Sequence, residues 1–178
     1  MEAATSYYEV GSPVGRLLLV GNSTALAAIH FESGTSPASI VPGWRQSRGP
    51  FRGLIAQLEQ YFRGERREFD VELALTGTPF QRAVWAELRR IPYGSVTSYG
   101  ELARKIGRPR AFRAVGAANG ANPWPIVVPC HRVIGSDRSL TGFGGGLSAK
   151  QTLLRLEAET SGASWLVPAP GPRDRGYL

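Results

Sequence analysis

The sequence predicts an α+β chain in two parts: a small β-rich supporting lobe with one helix over residues 1–77, and a mainly helical lobe containing a helix-turn-helix over 78–160. Three observations predict it. Short apolar runs punctuated by turn residues fill the first third, helical spacing with capping boxes sets in at Thr78, and the charge balance shifts at the same point. At 178 residues the chain is long for one average domain and short for two, so one compact unit and two small lobes are both open.

The elements follow in order. Arg16-Leu17-Leu18-Leu19-Val20 and Ala25 to Phe31 read as strands separated by the turn signal Gly21-Asn22-Ser23. Residues 33–50 carry Gly, Ser and Pro without periodicity and read as a loop. Phe51, Leu54, Ile55, Leu58, Tyr61 and Phe62 fall at helical spacing, with Gly64 placed as a C-terminal cap. Phe69, Val71, Leu73 and Leu75 alternate with Asp70, Glu72 and Ala74, the period of a strand with one buried face. No cluster of catalytic residue types occurs in this lobe, which reads as support.

Thr78-Pro79-Phe80-Gln81 is a capping box with proline at the first helical position, and Phe80, Val84, Leu88 and Ile91 mark one helical face ended by Pro92-Tyr93-Gly94. Ser98 and Glu101 form a second box, opening a short helix through Leu102 and Ile106 to Gly107. Pro109 and Ala111 start another, running through Gly116 to about Gly120. Two short helices joined by Gly107-Arg108-Pro109-Arg110 make a helix-turn-helix candidate. Asn122-Pro123-Trp124-Pro125 is rigid, and the buried run Ile126-Val127-Val128 leads into Pro129-Cys130-His131-Arg132. After the glycine-rich Gly142-Phe143-Gly144-Gly145-Gly146, Ser148 and Gln151 are expected to cap a last helix carrying Leu153, Leu154, Leu156 and Glu157. Beyond Ala158 the composition turns to Ser, Pro and Gly, and residues 161–178 read as a flexible tail.

Charge narrows the partners. Residues 78–157 hold 12 Arg or Lys against Glu87, Glu101, Asp137 and Glu157, so the whole excess behind the net +7 lies in that segment. Lys105, Arg108, Arg110 and Arg113 crowd the turn and second helix of the pair. Nucleic acid is the first partner to consider, against the plainer reading of an arginine-rich soluble surface. With 42% hydrophobic and 20% charged residues, disorder, collagen-like repeats and disulfide scaffolds are excluded. No apolar run approaches the ~20 residues of a bilayer span, so no membrane partner is expected. The single cysteine forbids an intramolecular disulfide, and with His30 and His131 alone beside it a cysteine-based zinc site is not expected. Without a basic residue in Met1 to Val10 no signal peptide is read, and the chain is expected to be cytoplasmic with its thiol reduced.

Cys130 has two readings: a buried small hydrophobe, or a nucleophile set between a stiff proline and the concentrated basic region. A free thiol with a pKa of about 8.5 is only a few per cent thiolate at neutral pH and needs a base, and His131 is the one nearby. A histidine base needs an orienting group. Glu157, on a face with Leu153 and Leu154, is the acid available, its other reading being a solvated surface glutamate. Ala114, Gly116, Ala117 and Ala118 either let the second helix approach a DNA backbone or allow close packing inside the protein.

Pro129-Cys130-His131-Arg132-Val133, preceded by Asn122-Pro123 and followed by Gly142-Phe143 and Gly145-Gly146-Leu147, resembles the O6-alkylguanine-DNA alkyltransferase family. The resemblance covers nearly the whole chain, is strongest from Thr78 to Glu157, is weaker over Tyr7 to Leu19 with Ser12-Pro13-Val14-Gly15, and is absent in the tail. It implies a ribonuclease H-like N-terminal lobe and a C-terminal lobe that binds DNA and accepts the alkyl group. It also implies DNA repair: single-turnover, irreversible transfer of the alkyl group of O6-alkylguanine, with O4-alkylthymine as an open second substrate, to Cys130 after nucleotide flipping, without a cofactor.

In that family pattern His131 deprotonates Cys130 through a water and Glu157 holds the imidazole tautomer. Tyr99 donates to N3 of the guanine, and Asn122 braces the turn from the DNA-binding helix to an active-site strand. The backbone of Cys130, Val133 and Gly144 reads the base edge, while Arg113 fills the gap left in the stack. Ala114, Gly116, Ala117, Phe143 and Lys150 complete the expected substrate- and DNA-binding set. The implied partner is double-stranded DNA, docked through its minor groove by a monomer, with cooperative loading left open; in a bacterium the protein would be nucleoid-associated. Phe143 departs from the family's more frequent Tyr, keeping the stacking face and losing the hydroxyl. The structural zinc of some relatives is not expected. A helix-turn-helix damage sensor and a cysteine hydrolase using Cys130 and His131 are the rivals, the first disfavoured by retention of Cys130, the second leaving the basic helix pair without a purpose.

Overall fold

A computed structural model describes residues 4–34 and 39–163. Its N-terminal sheet has the order β3-β2-β1-β4, from β1 (Ser6–Val10), β2 (Leu17–Gly21), β3 (Leu26–Phe31) and β4 (Arg45–Gln46). The first three pair antiparallel, and β4 joins β1 in parallel. β2 is buried at every position, which is why its sequence is an unbroken apolar run rather than an alternating one. The β1–β2 connection closes with Ser12 and Gly15 exchanging backbone hydrogen bonds of 3.1 Å, Gly15 taking φ +94°. α1 (Arg52–Phe62) follows the 3₁₀ turn Gly49–Phe51, buries Leu54, Ile55, Leu58 and Tyr61, and ends before Gly64 at φ +72°.

One strand of this lobe was not read from the sequence, and two expectations need correction. β1 carries no alternating apolar pattern, because its burial follows neither face cleanly. The segment read as loop contains β4, two exposed residues whose pairing with β1 is long-range and leaves no local signature. Residues 69–75 are extended but form no strand: Leu26 donates to the Glu72 carbonyl at 2.8 Å and accepts from Ala74 at 2.9 Å, and pairing stops there. Further along that edge of β3, Ile29 donates instead to the Pro123 carbonyl at 2.8 Å. The ladder has no room to continue, and Leu75 is left 85% exposed.

The second half opens with α2 (Pro79–Leu88) and α3 (Tyr99–Lys105), each begun by a complete capping box, at Thr78/Gln81 and Ser98/Glu101. α2 stops at Leu88, and a turn carries Ile91 into the core beyond it. α4 (Phe112–Gly120) completes the helix-turn-helix across Gly107, which takes φ +71°. The run 126–128 is a turn rather than a strand, bridged only between Pro125 and Val128, and Cys130–Arg132 is a 3₁₀ turn. It leads into β6 (Val133–Ile134), paired in parallel with β5 (Thr97–Ser98). α5 spans Gly146–Ser161 and starts after Gly145 without a side-chain cap. Ser148 and Gln151 therefore lie inside it: the turn at Gly145-Gly146, not a polar cap, sets its start. α5 also runs past Ala158 to Ser161, ending at Gly162 with φ +72°; the rest of the expected tail, from 164, lies outside the described residues.

One large hydrophobic core spans both halves, from Leu17, Leu19 and Phe31 through Leu54 and Leu58 to Trp85, Trp124 and Leu153, with a smaller cluster of Ile134, Leu140, Leu147 and Leu154 beside it. Trp124 Nε1 donates to the Leu26 carbonyl at 2.9 Å, and Trp85 Nε1 to that of Ala118 at 2.8 Å, with the two indoles edge-to-face at 5.3 Å. Burying each indole with its N–H paired joins sheet, α2 and α4 without an unsatisfied donor.

Candidate active site

The turn carrying Cys130 is prepared by the chain before it. Asn122, 9% exposed, donates from Nδ2 to the Val128 carbonyl at 2.8 Å and accepts from the Trp124 N–H at 3.1 Å, bracing residues 122–128 as a unit. Within that unit Ile126 takes φ +76°, a conformation costly for a β-branched residue and maintained here by burial. Asn119 at the end of α4 donates to the Cys130 carbonyl at 3.5 Å. The thiol itself is buried. Burial pushes it above its ordinary value, opposed by the Asn122 side chain and the Lys150 charge, so it rests as a neutral thiol and needs a base.

That base is in place. His131 and Glu157 are both fully buried, with Nε2 2.8 Å from Oε1. Burial alone would raise the Glu157 carboxyl, but the hydrogen bonds from His131 and Arg132 and the Arg132 charge outweigh it and hold the group well below the usual carboxylate range. An ionised carboxylate only accepts, so Nε2 carries the hydrogen and Nδ1 the lone pair. Burial lowers the imidazole pKa against the pull of Glu157, which keeps His131 neutral and able to accept a proton. Nδ1 is buried with no hydrogen-bond partner among the described residues. Arg132 fixes the carboxylate from the far side through Nε and Nη2, both at 2.9 Å, while its Nη1 donates to the Ile91 carbonyl at 2.7 Å. The Gly94 N–H adds a bond of 3.1 Å to Oε2, at a position where a Cβ would collide with Ser161.

The other expected residues distribute around this unit. Phe143 packs edge-on against Phe31 at 5.3 Å and His131 at 6.4 Å, and Gly145 lies so close to Phe31 that a Cβ would stand 2.8 Å from its ring. Val133 is buried and Gly144 exposed. Tyr99, the first residue of α3, accepts a bond from Thr141 at 3.3 Å. On α4, Arg113, Ala114 and Ala117 face outward while Val115 and Ala118 face the core, with Gly116 between the two faces, so small residues serve both readings at once. Arg104, Lys105, Arg108, Arg110 and Arg113 are all exposed on this helix pair.

Lys150 departs from expectation. It is fully buried, donates at 2.6 Å to the carbonyls of Val133 and Thr141, and has its pKa lowered by burial to about 8. It reaches no surface; it ties β6 to the loop before Phe143. Sequence reading also missed Tyr61, Arg132, Gly94 and Asn119. Tyr61 sat in a helical apolar pattern that its ring satisfies, so its hydroxyl gave no separate signal, whereas Arg132, adjacent to His131, was readable as a buried counter-charge.

Fold and site together define a cysteine-nucleophile protein with a buried histidine–carboxylate pair and a basic helix-turn-helix. Two family profiles match: 6-O-methylguanine DNA methyltransferase, ribonuclease-like domain, over residues 5–75, and its DNA binding domain over 79–159. A methylated-DNA–protein-cysteine methyltransferase of Mycolicibacterium paratuberculosis is 52% identical over 158 residues, covering 89% of this chain and 95% of that protein. One from Methanosarcina acetivorans is 47% identical, covering 85% and 97%. The crystal structure of Mycobacterium tuberculosis OGT in complex with DNA superposes with a TM-score of 0.81 at 49% identity, covering 87% of this chain and 94% of that one. The chain belongs to the 6-O-methylguanine DNA methyltransferase family.

Proposed function

We propose that this chain repairs DNA by moving the alkyl group of O6-alkylguanine onto Cys130, once and irreversibly. The observation that carries the reading is the buried Glu157–His131 bond of 2.8 Å, which leaves Nδ1 as a bare base beside the thiol-bearing residue. The thiol proton passes to Nδ1 through a bridging water, since adjacent side chains meet poorly. Sulfur then attacks the alkyl carbon in line, the S–C bond forms, the C–O6 bond breaks, and its electron pair leaves on the guanine. Tyr99 donates to N3, offsetting the charge gathered by the departing base. The backbone of Cys130, Val133 and Gly144 reads the base edge, and Phe143 supplies an apolar wall. A thioether is neither reduced nor hydrolysed under ordinary conditions, so the protein is consumed.

The partner is double-stranded DNA, approached through the minor groove. The outward Ala114 and Ala117 let α4 lie close to the duplex, exposed arginines on both sides meet phosphates, and Arg113 occupies the space of the flipped nucleotide. One chain carries nucleophile, base, orienting carboxylate and basic helix pair, which supports action as a monomer. A reactive, unpaired thiol supports a reducing, cytoplasmic location. The test is intact mass after mixing with duplex containing O6-methylguanine. A persistent gain of one methyl group, mapped to the Cys130 peptide, is expected; binding with no adduct would point to a damage sensor, and a cleaved substrate to a hydrolase.

A further inference from the structure

Glu157 is reached from the N-terminal lobe as well as from its own. Tyr61, on α1, lies 96 residues away in sequence, yet its hydroxyl stands 2.7 Å from Oε1, the same oxygen that accepts from His131 Nε2. Its distance to Nε2 is 3.5 Å, too long for a useful bond, so the hydroxyl serves the carboxylate. The side chain is fully buried, and its ring is fixed edge-to-face against Tyr93 at 6.0 Å and tilted against Phe69 at 5.4 Å. A ring needed for packing alone would carry no hydroxyl here, because an unpaired buried one is costly. Burial and the neighbouring carboxylate push the Tyr61 hydroxyl well above its ordinary pKa, so it is a permanent donor.

We propose that Tyr61 is a positioning residue of the transfer reaction: its hydroxyl completes the donor set on Glu157 and thereby tunes the basicity of His131 from the opposite lobe. This rests on the alkyl-transfer reading above. Two functional consequences follow from one bond. A donor on Oε1 fixes where that oxygen sits, and so where the imidazole plane points Nδ1. The same donor withdraws charge from Oε1, so the carboxylate stabilises imidazolium less, and the base stays neutral to lower pH. The groups facing His131 are Glu157 and Lys150 from α5, Arg132 and Cys130 from its own turn, and Tyr61 from α1, with Tyr93 behind Tyr61. Among the side chains bonded to Glu157, Tyr61 is the one that removing a single oxygen can silence without altering charge.

The experiment follows single-turnover methyl transfer from O6-methylguanine duplex against pH in the wild-type chain, Tyr61→Phe and Ile55→Ala, the last a buried truncation on the same helix away from the cluster. Tyr61→Phe is expected to transfer about tenfold more slowly near neutrality, with the acid limb of its profile moved to higher pH. Ile55→Ala is expected to lower thermal stability without moving that limb. An unmoved limb in folded Tyr61→Phe, or an equal movement in Ile55→Ala, overturns the proposal while transfer by the wild type upholds the repair reading. No transfer by the wild type overturns the repair reading itself. Should Tyr61→Phe fail to fold, nitrogen and proton spectra of the unaltered chain decide. A His131 ring protonated on Nε2 and a slowly exchanging Tyr61 hydroxyl proton support the proposal, and a freely exchanging hydroxyl or an Nδ1-protonated ring overturns it.

Discussion

The carboxylate of Glu157 and the thiol of Cys130 are buried in the same small region, and the fold treats them in opposite ways. Glu157 accepts five hydrogen bonds, from Tyr61, His131, Gly94 and twice from Arg132. Those donors come from α1, the turn before β5 and the Cys130 turn, so three parts of the chain converge on one side chain. Cys130 is instead held through its backbone, while burial keeps its sulfur protonated. A group that must keep its charge is saturated with donors; a group that must react is held lightly, with the Asn122 side chain and the Lys150 charge opposing burial only in part. His131 sits between them, with one nitrogen in each regime.

Removing the reacting group gives the largest effect. Cys130→Ala is expected to abolish transfer while leaving affinity for duplex largely intact, measured by intact mass and by band shift. Any residual adduct in that variant would place the acceptor elsewhere. Next come the two partners that join the regimes. Loss of His131 or Glu157 is expected to slow transfer by roughly 10²–10⁴-fold, the range of a general base. The double variant should be little slower than the worse single one, because the pair acts as a unit. Multiplying losses would mean that the bond between them is incidental.

Arg113 tests whether the outward helix face is separable from the buried site. Arg113→Ala is expected to slow repair in duplex by tenfold or more and to spare reaction with free O6-benzylguanine, since unstacking costs a few kcal/mol that the free base does not meet. Equal loss on both substrates would mean that the pocket itself was damaged. A plain phosphate contact would weaken all DNA binding and lower the salt slope by about one.

The saturated carboxylate also makes a claim about acid. Glu157 is held below its ordinary pKa, so the unfolded chain binds more protons than the folded one once pH falls below about 5. Its stabilisation is complete above that pH and is lost progressively on further acidification. Glu157→Gln removes this dependence, flattening the acid limb of stability, and costs about 3–5 kcal/mol near neutrality because Arg132 is left as an unpaired buried charge. Urea melts between pH 3 and 7 measure both. Lys150→Met is expected to have the smallest effect on the thiol: loss of its charge near Cys130 raises the thiol pKa a little, read from the pH dependence of iodoacetamide alkylation, while its lost bonds to the Val133 and Thr141 carbonyls lower stability.

What the sequence disclosed follows the range of the forces involved. Thr78, Gln81, Ser98 and Glu101 satisfy backbone groups within three residues, so α2 and α3 could be read directly. α4 and α5 begin without side-chain caps, and for α5 the polar pair Ser148 and Gln151 misled because glycine geometry sets its start. β4 and the end of the 69–75 segment depend on which neighbour occupies a sheet edge, which no local pattern records. At the site, Cys130 and His131 were legible as neighbours in the chain, and Glu157 as the acid available on the last helix, with a surface reading left open beside it. Tyr61 was legible as core and silent as a donor, because its hydroxyl finds its partner across the molecule.

The indole pair at the centre of the shared core makes the protein optically self-reporting. Trp85 is bonded to the last turn of α4 and Trp124 to the edge of β3, with both rings buried. Any shift of the recognition helix moves one ring, and any parting of the two halves moves the other. Once Trp44 and Trp165 are replaced by Phe, the emission of Trp85 and Trp124 registers DNA engagement and lobe separation as changes in wavelength and intensity, on the timescale of mixing.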